Sequence, residues 1–149
     1  VLGLETGSNR ILEYINKNQT VADAFTAGEK ILNAGLTFSG NMMFGFEEET
    51  EEDLKATLDF IEKIPAANLS VAKFIPLPGT PLFTTTVMNG GFGDEPVKFE
   101  HLDLFSTHYH MPKHISPEGL KDFHREIFHL VAEKNKITRT GRPGEKAAA

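Results

Sequence analysis

The residues of this chain whose types could do chemistry fall at three places. The first is Glu5, set between two glycines in the run Gly3-Leu4-Glu5-Thr6-Gly7. The glycines permit close backbone approach, and the carboxylate can accept hydrogen bonds from a sugar diol. It could equally do no more than tidy the start of the helix that follows. The second is Lys17, a cation at the end of that short helix. It can complement the helix dipole or meet a ligand carboxylate as a point charge. The third comprises the stretches Asn41 to Gly45 and Phe74 to Gly79, each at the carboxyl end of an apolar run. In parallel α/β folds such ends are where ligands bind.

Two other clusters are chemically weaker. The acidic run Glu47-Glu48-Glu49, with Glu51, Glu52 and Asp53, lacks the spaced ligands and central glycine of a calcium loop and reads as a solvated helix start. His108 and His110 would point the same way from an extended strand, and His101, His114, His124 and His129 lie nearby. No further ligand stands at a recognised metal spacing, so surface histidines are expected and no metal ligand is assigned. The chain has no cysteine, which excludes disulfides, thiolate catalysis and Cys-ligated metal within it.

The elements that must position these residues follow from periodicity and caps. Residues 1–5 read as the end of a buried strand. Ser8 can cap a short helix over 9–17, with Ile11, Leu12 and Ile15 on one face. Thr20 opens a second helix, with Asp23 three residues on, a stripe of Ala24, Phe25, Gly28, Ile31 and Leu32, and Gly35 as its left-handed stop. Residues 36–45 read as a strand, Thr50 with Asp53 as the next cap, and Leu54, Leu58 and Ile61 as the buried stripe of a helix ending near Lys63. Residues 68–75 are a third strand and 76–82 a rigid turn.

The two Thr-x-x-Asp caps stand thirty residues apart, about the length of one strand–helix unit of a parallel sheet. This predicts an α/β protein, a partial TIM-type parallel barrel followed by a mostly helical C-terminal extension. Too few units are present to close a barrel, so the chain reads as incomplete at its N-terminal end. Residues 88–96 read as a flexible loop and 138–149 as a disordered tail. A long helix starts at Ser116-Pro117, with Leu120, Phe123, Ile127, Leu130 and Val131 as its stripe.

The bulk composition narrows the partners. Fifteen Lys and Arg are scattered against a formal net charge of -6, and a surface that tracks phosphates needs a basic stripe. No nucleic-acid partner is expected. No apolar run approaches the roughly 20 residues that span a bilayer, and a cytoplasmic protein is predicted.

Three segments in order, GLETGSNRILEYINKNQT, GLTFSGNMMFGFEEETEEDLKATLDFI and FIPLPGTPLF, resemble the C-terminal half of the radical S-adenosylmethionine core. The subgroup they look most like pairs that core with an upstream cobalamin-binding domain. The resemblance covers residues 1–85 and implies a division into a partial core over 1–85, a substrate-side extension over 86–137 and a tail over 138–149. It implies that Glu5 holds the ribose hydroxyls of S-adenosylmethionine and that Lys17 meets the methionine carboxylate. Asn41 would also reach the ribose. Met43 would pack on adenine with Phe44 and Gly45 shaping the wall, and Phe74 would offer backbone groups to the adenine edge.

The resemblance further implies a [4Fe-4S] cluster held outside this chain, release of a 5′-deoxyadenosyl radical, a small-molecule substrate and an electron donor such as flavodoxin or ferredoxin. A cobalamin bound upstream would deliver a methyl group or assist a rearrangement. A radical methylthiotransferase, a coproporphyrinogen-dehydrogenase-like relative and a non-catalytic nucleotide-binding module are the alternatives. The tRNA-directed methylthiotransferases usually append a basic RNA-binding domain, and the C-terminal half shows no basic run of that kind. The fragment alone is not expected to be active. Glu47-Glu48 replaces the family's Pro-Gly, which should loosen or reshape that turn.

Overall fold

Each strand of the chain is short and each is followed by a capped helix, in a computed structural model that describes residues 1–92 and 112–140. The order is β1 (Leu2–Glu5), α1 (Asn9–Tyr14), α2 (Val21–Asn33), β2 (Ser39–Phe44), α3 (Glu51–Lys63), β3 (Asn68–Lys73), α4 (Pro81–Met88) and α5 (Pro117–Thr140). The strands form one parallel sheet in the order β1-β2-β3. This is an open α/β sheet, consistent with a partial β/α barrel followed by a helical C-terminal part.

The caps work as the spacing requires. Thr20 and Thr50 each accept from the backbone of the Asp three residues on, and each Asp accepts in return from the cap's backbone N–H. Two orphan donors are thus satisfied at each helix start. Gly35 has φ +74, the left-handed stop expected of it.

Along β2 the pattern alternates: Gly40, Met42 and Phe44 are buried, Asn41 is exposed and Met43 half-buried. The buried face packs, with Leu4 and Leu69, against Leu54, Phe60 and Ile61 of α3 and Phe123 and Ile127 of α5. The opposite face carries Asn41, in register with Gly3 on one side and Ser70 on the other.

Several boundaries differ from the sequence reading. α1 stops at Tyr14, three residues early, because Asn16 takes a left-handed backbone with φ 57. Residues 36–38 precede β2 rather than extending it, and Leu32 and Leu36 are exposed. The segment 76–82 is more than a turn. Thr80 caps α4 by accepting from Phe83 N, and Pro81 starts the helix where its missing N–H costs nothing. α5 continues to Thr140, so residues 138–140 of the expected tail are helical; residues 141–149 lie outside the described residues, as do 93–96 of the expected loop.

Candidate functional site

The carboxyl end of β1 is where two of the sequence-designated residues meet. Lys17 Nζ donates to Glu5 Oε1 at 2.6 Å, with side-chain exposures of 35% and 15%. Glu5 therefore neither caps α1, which Ser8 does, nor stands alone. Lys17 lies beyond the end of α1 and reaches the carboxylate instead of the helix terminus.

Both partners are placed by unusual backbone. Among the described residues, two non-glycine residues have positive φ: Glu5 at 63 and Asn16 at 57. One carries the carboxylate and the other immediately precedes the lysine. Such conformations cost of the order of 1 kcal/mol or more and persist only where the surroundings over-determine them. The ladder between β1 and β2 also slips a residue between Gly3 and Glu5.

Gly3 and Gly7 serve different purposes. A Cβ on Gly3 would lie 2.6 Å from Glu5 Oε1 and 2.9 Å from Lys17 Nζ, so the ion pair occupies the space a side chain would take. A Cβ on Gly7 would lie 2.5 Å from Ala56 O and from Phe60 Cβ, so this glycine lets the loop sit directly on α3. That loop is pinned by buried and part-buried hydrogen bonds: Thr6 with Thr57 at 2.9 Å, Gly7 N to Thr57 Oγ1 at 3.1 Å, and Ser8 Oγ to Asp53 Oδ1 at 2.5 Å.

The other designated residues are distributed along the sheet's carboxyl edge. Asn41 is exposed and sits beside Gly3 in the register. Met43 is half-buried on the same face. Phe74 stacks on Phe46 with centroids 4.6 Å apart, and its N–H is already donated to Phe44 O at 2.7 Å. That N–H is committed to the sheet, so an adenine edge could not use it. Lys73 lies on the sheet's helix-facing side, against Gly45, and burial pushes its ammonium down to about 8.

The acidic run is only in part the solvated helix start expected of it: Glu51 and Glu52 are exposed and Glu48 is half-buried. Glu47, Glu49 and Asp53 are buried, because each finds donors. Glu47 accepts from Asn89 Nδ2 at 2.7 Å, Lys113 Nζ at 3.0 Å and Thr86 Oγ1 at 3.1 Å. Burial opposes its charge, and these donors outweigh burial and hold the carboxyl below its ordinary value. Glu48 pairs with Lys113 at 2.5 Å and His114 at 3.3 Å, and its backbone oxygen accepts from Arg10. The Pro-Gly replacement thus ties the turn to α4 and to the approach to α5 rather than loosening it.

Glu49 Oε2 accepts from the backbone N–H of Gly45 and Phe46, while its Oε1 is buried without a hydrogen-bond partner. Burial pushes this carboxyl up to about 8. Asp53 goes the other way. Burial works against its charge, but hydrogen bonds from Arg10, Ser8 and Thr50 prevail and hold it at about 2.

Of the histidines, His114 meets Glu48, His124 packs on Phe44 and Phe128, and His129 is exposed. His101, His108 and His110 lie outside the described residues. Among the described residues there is no group of three or more potential metal ligands and no helix long and apolar enough to cross a membrane. A groove of about 570 Å³ opens at the opposite end of the strands, lined by Leu32, Pro65, Ala66 and Leu130 among others. It contains none of the designated residues, and its lining is mostly apolar.

No family model matches the chain. It is 33% identical over 90 residues (59% of this chain) to a tRNA-2-methylthio-N(6)-dimethylallyladenosine synthase of Pelagibacter ubique. It is 30% identical over 137 residues (91% of this chain) to the protein of that name from Aquifex aeolicus. An uncharacterized methyltransferase of Pyrococcus horikoshii is 33% identical over 87 residues, 58% of the chain. The chain spans only 20%, 30% and 19% of the length of these three relatives. These likenesses support the radical S-adenosylmethionine resemblance in its broad form and lend nothing to the cobalamin-binding subgroup.

Proposed function

We propose that this chain is part of the S-adenosylmethionine-binding core of a radical enzyme, with Glu5 and Lys17 as its two polar grips. The observation that carries the reading is their meeting at the carboxyl end of β1 over a bare Gly3. A carboxylate for a diol and a cation for a carboxylate match opposite ends of that cofactor. Asn41, on the adjacent strand, would add a polar contact to the ribose, and Met43 an apolar surface for adenine. The division at residue 85 between core and extension belongs to the same proposal.

The cofactor fits the residues present; the cluster does not. With no cysteine in the sequence, an iron–sulfur cluster would need thiolates from elsewhere. When bound and reduced, S-adenosylmethionine supplies a carbon radical. This chain's own share is to bind and orient the cofactor, from a sheet edge fixed by the Thr6, Ser8 and Asp53 contacts.

Among reactions for the whole protein, methylthio transfer fits better than cobalamin-linked methyl transfer, because two of the three relatives above carry that activity in their names. It brings a tRNA substrate back into consideration, against the expectation drawn from charge. The net charge of -6 and scattered Lys and Arg supply no basic stripe of their own for it. Calorimetry on the reconstituted full-length protein tests the core of the reading. Glu5→Ala and Lys17→Ala are each expected to weaken S-adenosylmethionine binding by about 1–3 kcal/mol, the scale of a charged hydrogen bond. Unchanged affinity in both overturns it.

A further inference from the structure

We propose that the Glu5–Lys17 ion pair is a placeholder that the incoming cofactor opens, the ribose diol taking Glu5 and the methionine carboxylate taking Lys17. The inference rests on the cofactor reading above. Its grounds are geometric. The two groups that must hold opposite ends of one ligand instead hold each other at 2.6 Å. In S-adenosylmethionine the diol and the carboxylate are separated by the rest of the ribose, the sulfonium and the methionine side chain. While the pair is closed, Glu5 Oε1 and one N–H of Lys17 are spent on each other, so a two-oxygen hold on the diol and the full donor set on the carboxylate become available only when it opens.

The surroundings suit an exchangeable contact. Glu5 and Lys17 are each other's single ionic partner among the described residues, and both side chains remain in part open to solvent. A pair whose lysine is about a third exposed and whose carboxylate keeps an open edge gains little over its hydrated ions, so a ligand can displace it at small cost. The strained backbone at Glu5 and Asn16 aims both groups into the space above Gly3. Strain on one partner of the pair and on the residue next to the other is the kind that functional sites hold.

The pair then works as a selectivity device. A ligand that offers only a diol gains both Glu5 oxygens by breaking the pair, and then leaves Lys17 unmatched. One that offers both a diol and a carboxylate satisfies both halves. Adenosine, which has the diol and no carboxylate, should therefore be penalised by the intact pair, and removal of the lysine should relieve that penalty.

The test is calorimetry on the full-length protein with S-adenosylmethionine and, separately, adenosine. In Lys17→Met the first ligand is expected to bind about tenfold more weakly and adenosine about two- to fivefold more tightly. In the wild type, raising the salt should tighten adenosine binding by screening the pair, with no such change in Lys17→Met. That salt titration keeps the question answerable if the variant folds poorly. If Lys17→Met weakens S-adenosylmethionine but leaves adenosine unchanged or weaker, the exchange is overturned while the cofactor reading stands. If neither Lys17→Met nor Glu5→Gln alters binding of either ligand, the cofactor reading falls, and the exchange with it.

Discussion

Two glutamates lie at or just past the carboxyl ends of neighbouring strands, and their surroundings are opposite. Glu47, after β2, is 1% exposed and accepts from Asn89, Thr86 and Lys113. Glu5, at the end of β1, meets a single lysine and keeps a solvent-facing edge. A carboxylate that gathers donors from α4 and from the approach to α5 joins pieces of structure. One with a single cation and a strained backbone has capacity left for something that is not protein. The difference separates structural from functional carboxylates in this chain better than composition does, since by composition Glu47 sits in the more conspicuous acidic cluster.

The largest effect should come from the Glu47 side. Glu47→Ala removes three hydrogen bonds to one buried carboxylate at once, and Thr86 among their donors is itself buried. It is expected to cost about 2–3 kcal/mol in a urea melt. A loss under about 0.5 kcal/mol would mean that water replaces the carboxylate and that the contrast with Glu5 is false.

Next is Glu49, where the sign of the pH dependence is diagnostic. Its folded value of about 8 lies above the ordinary 4.5. The native state therefore holds a proton that the unfolded chain has released, and stability falls as pH rises from about 4.5 to about 8. Glu49→Gln should remove that fall and be more stable than wild type at pH 8 by roughly 2 kcal/mol, as read by melts across pH. Asp53, held at about 2, contributes with the opposite sign. Its stabilisation is present above the unfolded value near 4 and is lost as pH drops through about 2. Parallel curves for wild type and Glu49→Gln between pH 5 and 8 would show that Glu49 is ionised throughout.

The smallest effect on stability belongs to the functional side. Lys17→Met should change folding free energy by less than about 1 kcal/mol, as expected for a partly exposed pair. A melt that moved further would make the Glu5–Lys17 contact a structural one and bring it into line with Glu47.

The strand–helix alternation and the capping boxes were legible because they are local. A Thr-x-x-Asp pair satisfies its own helix start whatever the tertiary context. α4 was missed because Pro78-Gly79-Thr80-Pro81 carries the composition of a turn, and the helix announces itself only through Thr80 as cap and Pro81 as first residue. At the site, Glu5 and Lys17 could be singled out, yet nothing in twelve residues of spacing says that they bond to each other. That depends on left-handed residues at Glu5 and Asn16, which sequence does not announce for non-glycines. The burial of Glu47, Glu49 and Asp53 was illegible for a similar reason. Their donors come from 42 to 66 residues away, at Asn89 and Lys113 for Glu47 and at Arg10 for Asp53, or from backbone N–H groups, so a run of acids looked solvated.

The most direct measurement is a crystal structure of the full-length protein with S-adenosylmethionine bound. The account predicts Glu5 on the ribose hydroxyls, Lys17 on the methionine carboxylate, and the two side chains no longer within the 2.6 Å of the closed pair. A bound cofactor gripped elsewhere, with that pair intact over Gly3, would contradict it.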